Sequence, residues 1–167
     1  DSPIPKKPDE VHAKPMAHVV DTLVLGSGIA GLTYALRMAE RGTVAVLTKS
    51  SQDLTNTAWA QGGIAAVLSD TDSFDSHVED TIIAGDGLNR LDVVRICVEE
   101  GPERIQELMA LGVKFDPSRN GSSGGHGLDL TREGGHSQRR VVHSKDRTGA
   151  AIQAALSDAV GRHPNIE

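Results

Sequence analysis

Three groups of residues have types and spacings that can do chemistry. The first is Gly26-Ser27-Gly28-Ile29-Ala30-Gly31, a G-x-G-x-x-G run. In such a run Gly26 permits a tight turn. Gly28 lets the backbone approach a pyrophosphate with no Cβ in the way, and Gly31 lets a following helix pack on a preceding strand. The N-terminus of that helix offers N–H groups and the positive end of its dipole to phosphate. The second group is Asn56-Thr57-Ala58-Trp59-Ala60-Gln61-Gly62-Gly63, one indole and one amide among small residues ahead of a glycine pair. Backbone N–H groups and small side chains of this kind can approach a flat ring system and hydrogen-bond the heteroatoms at its edge. The third is the stretch carrying Glu133, His136, Arg139, Arg140 and His143. Arginine forks suit carboxylates, so the cluster could bind a dicarboxylic substrate. Taken singly, Arg139, Arg140 and His143 read more simply as a polar strand and turn held by salt bridges, whereas Glu133 reads as functional.

A dinucleotide fingerprint usually has an acidic residue about 20 positions further on, which holds the ribose 2′-OH of NAD. Here there is no Asp or Glu between Arg41 and Gln52, and the segment ends in Lys49. A lysine argues against ordinary NAD binding. It suits a 2′-phosphate as in NADP, another arrangement around an adenosine diphosphate, or a solvated strand end. Trp59 is either core filler or a neighbour of the bound ring. Its glycine-rich surroundings, with no helical stripe, favour the second. His77 reads as structural and Cys97 as a small buried hydrophobe in a helix.

These residues need a scaffold. Val19–Leu25 is a short apolar, β-branched run that predicts a buried parallel strand. Gly28–Arg41 has Ile29, Leu32, Leu36 and Ala39 at helical spacing and Gly42 after it. Val44–Thr48 predicts a second strand, which completes a βαβ unit. Residues 50–63 read as a loop and Ile64–Leu68 as a short strand or buried loop. Ser76 and Glu79 fit a capping box opening a helix through Ala84. Further helices are expected at Leu91–Glu100 and Pro102–Leu111, separated by a break at Gly101-Pro102. Val113–Phe115 predicts a short strand and 117–127 a flexible loop. Asp129–Glu133 and Arg139–His143 predict strands around a Gly134-Gly135 turn, and Thr148–Val160 an amphipathic helix. Ile166-Glu167 would begin another strand.

The 167 residues carry 17 Lys+Arg against 23 Asp+Glu, a net charge of −6, which gives no electrostatic footprint for nucleic acid. A single cysteine excludes a disulfide framework and any multi-thiolate metal or Fe–S site. No apolar run is long enough for a transmembrane helix, and no signal-peptide pattern is visible. Residues 1–17, with four prolines and three lysines, read as a disordered or processed tail. The 18 glycines and only 2% aromatics suggest backbone brought close to something. Seven of those glycines fall in three clusters: Gly26, Gly28 and Gly31; Gly62 and Gly63; Gly134 and Gly135.

NTAWAQGG following a βαβ fingerprint resembles the FAD site of the succinate dehydrogenase, fumarate reductase and L-aspartate oxidase flavoproteins. The resemblance continues through Asp75–Thr81 and Ala84-Gly85 and spans residues 19–167. Its most specific part is Leu130-Thr131-Arg132-Glu133-Gly134-Gly135-His136-Ser137 with Arg139-Arg140 and Asp146-Arg147-Thr148-Gly149. That part is similar to the L-aspartate oxidase branch. Lys145 departs from it, standing where a small residue is expected.

The resemblance implies an α/β fold: a Rossmann-like FAD-binding domain with a parallel sheet and flanking helices, of which residues 18–167 form a truncated N-terminal part. It implies that Ser27 to Ala30 contact the FAD pyrophosphate, that Lys49 lies beside the adenosine half, and that Asn56 to Gly63 wrap the isoalloxazine and nearby phosphates. In the succinate and fumarate relatives a histidine bonded covalently to the flavin falls where Asn56 stands. An amide cannot make that bond, so FAD is expected to be non-covalent. Glu133 would receive the α-ammonium of the substrate, with His136 beside it. The implied reaction is oxidation of L-aspartate to iminoaspartate, with electrons passed on to O2 or fumarate. This is the first step towards quinolinate and NAD, which makes a quinolinate synthase the candidate recipient of the product. The expected location is cytoplasmic, or plastid if the tail is a transit remnant. The alternatives are a soluble fumarate reductase or succinate dehydrogenase flavoprotein and a non-catalytic dinucleotide-binding module.

Overall fold

The computed structural model describes residues 17–49, 51, 54–118 and 127–167. The tail apart from Ala17, and most of the expected 117–127 loop, lie outside them. Near the N-terminus of the described chain, β1 (Thr22–Leu25), α1 (Ile29–Ala39) and β2 (Val44–Leu47) form the βαβ unit. β1 and β2 pair in parallel, Val24 opposite Val46. Ile166 adds a parallel bridge on the far side of β2, where the Val44 and Val46 N–H groups donate to the carbonyls of Asn165 and Glu167. The expected strand is present there only as this single bridge.

Leu32, Ala35 and Ala39 of α1 are buried, and the two alanines let the helix sit close on Val24 and Val44. The strands are less buried than their apolar runs suggest. Successive strand residues face opposite sides, and only one side is covered. Val24 is buried, whereas Leu23 is 58% exposed, Leu25 73% and Leu47 61%.

Next come α2 (Asn56–Trp59), β3 (Ile64–Ala65), α3 (Phe74–Ala84), α4 (Leu91–Ala110), β4 (Leu130–Thr131), β5 (Val141–Val142) and α5 (Thr148–Gly161). A small antiparallel sheet in the order β3-β5-β4 places β4 and β5 as a pair, with the Gly134-Gly135 turn between them. The main core joins Leu32 of α1 and Ile152, Leu156 and Val160 of α5. It continues through Ile105 and Leu108 of α4 to Leu130 and Val142 of the small sheet.

The expected loop at 50–63 contains the short helix α2, opened by the N-cap Thr55, and four further local expectations change. α3 starts at Phe74, and its N-cap is Ser73, whose hydroxyl accepts the Ser76 N–H; Ser76 lies inside the helix. The change follows from Asp72 and Ser73 both preceding the helix, with Asp72 needed elsewhere. Gly101-Pro102 does not break the chain into two helices. α4 runs through Pro102, because Val98, Ile105 and Leu108 on either side of it bury one continuous face. Val113 to Phe115 is irregular, not a strand, although Val113 and Phe115 are buried in the core. Cys97 is exposed on α4, since the buried stripe of that helix passes through Val98 instead.

Candidate functional site

The first turn of the βαβ unit owes its shape to two glycines. Gly26 has φ +111°, where side chains with a Cβ are strained. A Cβ on Gly31 would stand 2.0 Å from the Gly26 carbonyl oxygen, so the helix can fold back on the strand end only with glycine there. A Cβ on Gly28 would meet Thr57 Oγ1 at 3.4 Å. Ser27 is buried, and its hydroxyl donates to Thr48 Oγ1 at 3.1 Å, tying the turn to the end of β2. The Ile29 N–H donates to Thr57 Oγ1 at 3.0 Å. One of the four N–H groups at the helix start therefore has a protein partner, which leaves Gly28, Ala30 and Gly31 as the remaining donors.

Beyond the carboxyl ends of β1 and β2 lies a cavity of about 650 Å³. Gly26, Ser27 and Gly28 form one wall, Thr48 and Lys49 another, and Leu54 to Thr57 a third. This is the crevice where open α/β sheets take ligands, and its size lies in the usual range for one. Among the described residues that line it, none is a carboxylate and Lys49 is the charged one. A glycine turn, helix-end donors and a cation fit the adenosine diphosphate half of a dinucleotide.

α2 divides the second group of residues. Its N-cap Thr55 accepts the Ala58 N–H. Asn56 and Thr57 face the large cavity, while Ala58 to Gln61 line a second one, of about 320 Å³, with Asp146, Arg147 and Ala150. Trp59 is 73% exposed, so it is not core filler. Gly62 has open space around its Cβ position, but a Cβ on Gly63 would lie 2.1 Å from the Val142 carbonyl oxygen. Gly63 thus permits β3 to leave the site against β5. The end of α2 rests on α5, where the Gly149 N–H donates to the Ala60 carbonyl and a Cβ on Gly149 would come within 1.9 Å of the Thr57 carbonyl oxygen.

The third group separates into exposed and buried members. Glu133 is exposed and accepts the Thr131 hydroxyl at 3.1 Å. Glu133 and His136 line neither cavity. Arg140 is fully buried. It forms a two-pronged bond to Asp72 at 2.8 Å for each prong, reaches Asp80 at 2.7 Å and donates to the Ser76 hydroxyl at 3.0 Å. Ser137 donates its N–H and hydroxyl to the same Asp80 oxygen. Burial pushes Asp80 up, but the bonds from Ser137 and Arg140 outweigh it and hold the carboxyl below its ordinary value. His143 bonds Asp116 at 3.0 Å with Asp129 at 3.6 Å. Arg140 and His143 are therefore the salt-bridged strand that the simpler reading expects. Lys145 sits at φ +52°, which accounts for a small residue being expected there. His77 is buried and packs edge-on against His136 at 5.6 Å between ring centroids. Burial, then the neighbouring Arg140 and His136, lower its pKa.

Sequence reasoning missed Thr48, Thr55 and Gln153. Gln153 is 2% exposed on the apolar stripe of α5. A polar residue at a core-facing helical position is the signal that could have found it. Among the described residues no group of three His, Cys, Asp or Glu could hold a metal ion, and no helix is long and apolar enough to cross a membrane.

Comparison with known proteins bears on this geometry. Residues 21–167 match the FAD binding domain model. The chain is 53% identical over 146 residues to the chloroplastic L-aspartate oxidase 2-a of Nicotiana tabacum, covering 87% of this chain and 22% of that protein. It is 52% identical over 149 residues to the L-aspartate oxidase of Pseudomonas aeruginosa, covering 88% and 28%. Among solved structures, FrdA of E. coli quinol fumarate reductase superposes with a TM-score of 0.81 at 30% identity, covering 89% of this chain and 25% of that one. Mycobacterium smegmatis Sdh1 superposes with a TM-score of 0.76 at 30% identity, covering 90% and 27%. The chain spans about a quarter of the length of the relatives it matches.

Proposed function

The chain belongs to the FAD binding domain family, and from that premise we propose that it is the dinucleotide-holding part of an FAD-dependent L-aspartate oxidase. The observation that carries the reading is the pairing of two independent features. One is a glycine turn and lysine-lined crevice fitted to an adenosine diphosphate. The other is about 50% identity to L-aspartate oxidases across nearly all of the chain. In this reading residues 18–167 are the N-terminal part of the FAD-binding domain, and the rest of the domain and a capping domain come from other parts of the protein.

The N–H groups of Gly28, Ala30 and Gly31 would hold the pyrophosphate at the start of α1, Lys49 would offset its charge, and Asn56 and Thr57 would close the crevice. Ala58 to Gln61 approach the ring end. Asn56 has no nucleophilic ring nitrogen, so the FAD is held without a covalent bond. When bound, FAD supplies the acceptor for the hydride that leaves the aspartate Cα. Glu133 receives the α-ammonium, which favours an amino acid over a plain dicarboxylate, and His136 supports it from the same turn. The product is iminoaspartate, the electrons pass to O2 or fumarate, and a quinolinate synthase is the recipient that leads towards NAD. The location is cytoplasmic or plastid, the latter in line with the chloroplastic names of the plant relatives.

The test uses the natural protein that carries these residues. We expect a yellow protein whose flavin leaves on acid precipitation and whose bound flavin bleaches anaerobically with L-aspartate but not with succinate. Bleaching by succinate alone would assign the protein to the fumarate reductase or succinate dehydrogenase type. A colourless protein that binds NADP would sink the flavin reading.

A further inference from the structure

The turn that holds the pyrophosphate and the short helix that continues towards the ring come from distant parts of the chain, and α5 binds both. Gln153 lies on the stripe of α5 that also carries Ile152, Leu156 and Val160, and it is 2% exposed. A primary amide in such a place is costly unless its acceptor and donors are used. Here they are. Gln153 Oε1 accepts the Thr55 hydroxyl at 2.9 Å, and Nε2 donates to the Ser27 carbonyl at 2.9 Å and to Ser157 Oγ at 3.1 Å. Thr55 in turn accepts the Ala58 N–H and so caps α2. From α2, Thr57 reaches back to accept the Ile29 N–H at 3.0 Å. Ser27 and Ile29 are thus gripped from two sides, the carbonyl by α5 and the amide by α2.

We propose that Gln153 is a positioning residue for FAD: its amide joins Ser27 of the pyrophosphate turn to Thr55 of α2 and so fixes that turn against the opposite wall of the crevice. Gln153 lines neither cavity and acts through the two segments it joins. Only a side chain with an acceptor and a donor on one carbon does both jobs. A carboxylate keeps the bond from Thr55 but turns an acceptor towards the Ser27 carbonyl, so it repels the turn. Leucine fills much the same volume and makes neither bond. The inference rests on the flavin reading above, and it concerns affinity, not turnover.

The experiment measures FAD and ADP binding to the apoprotein of the natural protein, prepared by acid release of flavin, together with melting without nucleotide. For Gln153→Glu we expect the Kd for FAD to rise about tenfold or more, the scale on which supporting partners act at other sites. The Kd for ADP should rise by a similar factor, because the turn is common to both ligands. Thr57→Val removes the second grip and should weaken ADP as well, while Thr57→Ser should restore it. Unchanged affinity for both ligands in a folded Gln153→Glu protein would overturn the proposal. So would a loss confined to FAD, since the damage would then not pass through the Ser27 turn. If Gln153→Glu fails to fold, Gln153→Leu, which keeps the volume and makes neither bond, is measured in the same way and decides. Absence of FAD binding in the unaltered protein would instead overturn the flavin reading.

Discussion

At the scale of single residues, charged and polar side chains here divide by whether their partners are buried with them. Arg140 and Glu133 lie in the same short stretch, yet one is sealed in a network with Asp72, Asp80 and Ser76 and the other is exposed. Sequence reasoning could see that an arginine fork suits carboxylates. It also favoured salt bridges within the chain for Arg140, but it could not see which carboxylates, because Asp72 and Asp80 lie some 60 positions away. His77 illustrates the reverse, since its structural role was legible from its place in the first turns of a helix. Its burial, with the neighbouring Arg140 and His136, holds its folded pKa below the ordinary value of about 6.5, and Asp72 and Asp80 offset this only in part. The unfolded chain then takes up the proton more readily than the folded one. The contribution of His77 to stability is complete above about pH 6.5 and declines as pH falls from there. Asp80 is lowered too, so its contribution holds above about pH 4 and is lost below. We expect the melting temperature to be level between pH 8 and 7 and to fall below about 6.5. In His77→Gln the first decline should flatten and leave only the loss at lower pH. A profile identical to that of the unaltered chain would show that His77 titrates freely.

At the scale of elements, the pieces whose local chemistry agrees with their packing were readable. The βαβ unit, the β4–β5 pair and α5 all appear near their expected bounds because apolar periodicity and glycine punctuation point the same way there. α4 is where they conflict. Gly101-Pro102 is a strong local stop, but Val98, Ile105 and Leu108 form one buried face on both sides of it. Burying that face outweighs the missing bond from residue 102 to the Val98 carbonyl. The helix therefore tolerates Pro102 without depending on it. Pro102→Ala should stabilise the chain, by on the order of 1–3 kcal/mol, since alanine restores the donor and relieves the ring clash. Chemical denaturation checks this through a raised midpoint at unchanged slope. A lowered midpoint would mean that the proline shapes α4 for its contact with α3 and the core. Gly149 makes the opposite case. It looked like part of a motif, and its physical reason, the approach of α5 to within a Cβ of the Thr57 carbonyl, was hidden until α2 and α5 met.

At the scale of the whole molecule, the parallel sheet has one face packed and one face bare. α1 covers Val24 and Val44, while Val19, Leu23, Leu25 and Leu47 stay between 58% and 84% exposed on the described surface. Parallel sheets are normally covered on both faces, and their strands are apolar on both for that reason. The largely apolar runs Val19–Leu25 and Val44–Thr48 were thus correct signs of a sheet meant to be buried twice, and the described residues supply one cover. The relatives this chain matches are about four times as long, which gives room for the second cover. The dinucleotide crevice is built from elements that the chain does contain, whereas Glu133 and His136 line neither cavity. Binding and turnover should therefore separate. Prepared alone, the 167-residue chain should brighten a hydrophobic-surface dye and self-associate as its concentration rises, because a contiguous apolar patch of this kind seeks a partner. It should also give no aspartate-dependent peroxide, even with FAD added. A monomeric, dye-silent chain would mean that this face is closed in solution by residues of the chain itself. Peroxide production would mean that the groups needed for chemistry all lie between Asp1 and Glu167, and the substrate site would then have to be rebuilt around Glu133 from these residues only.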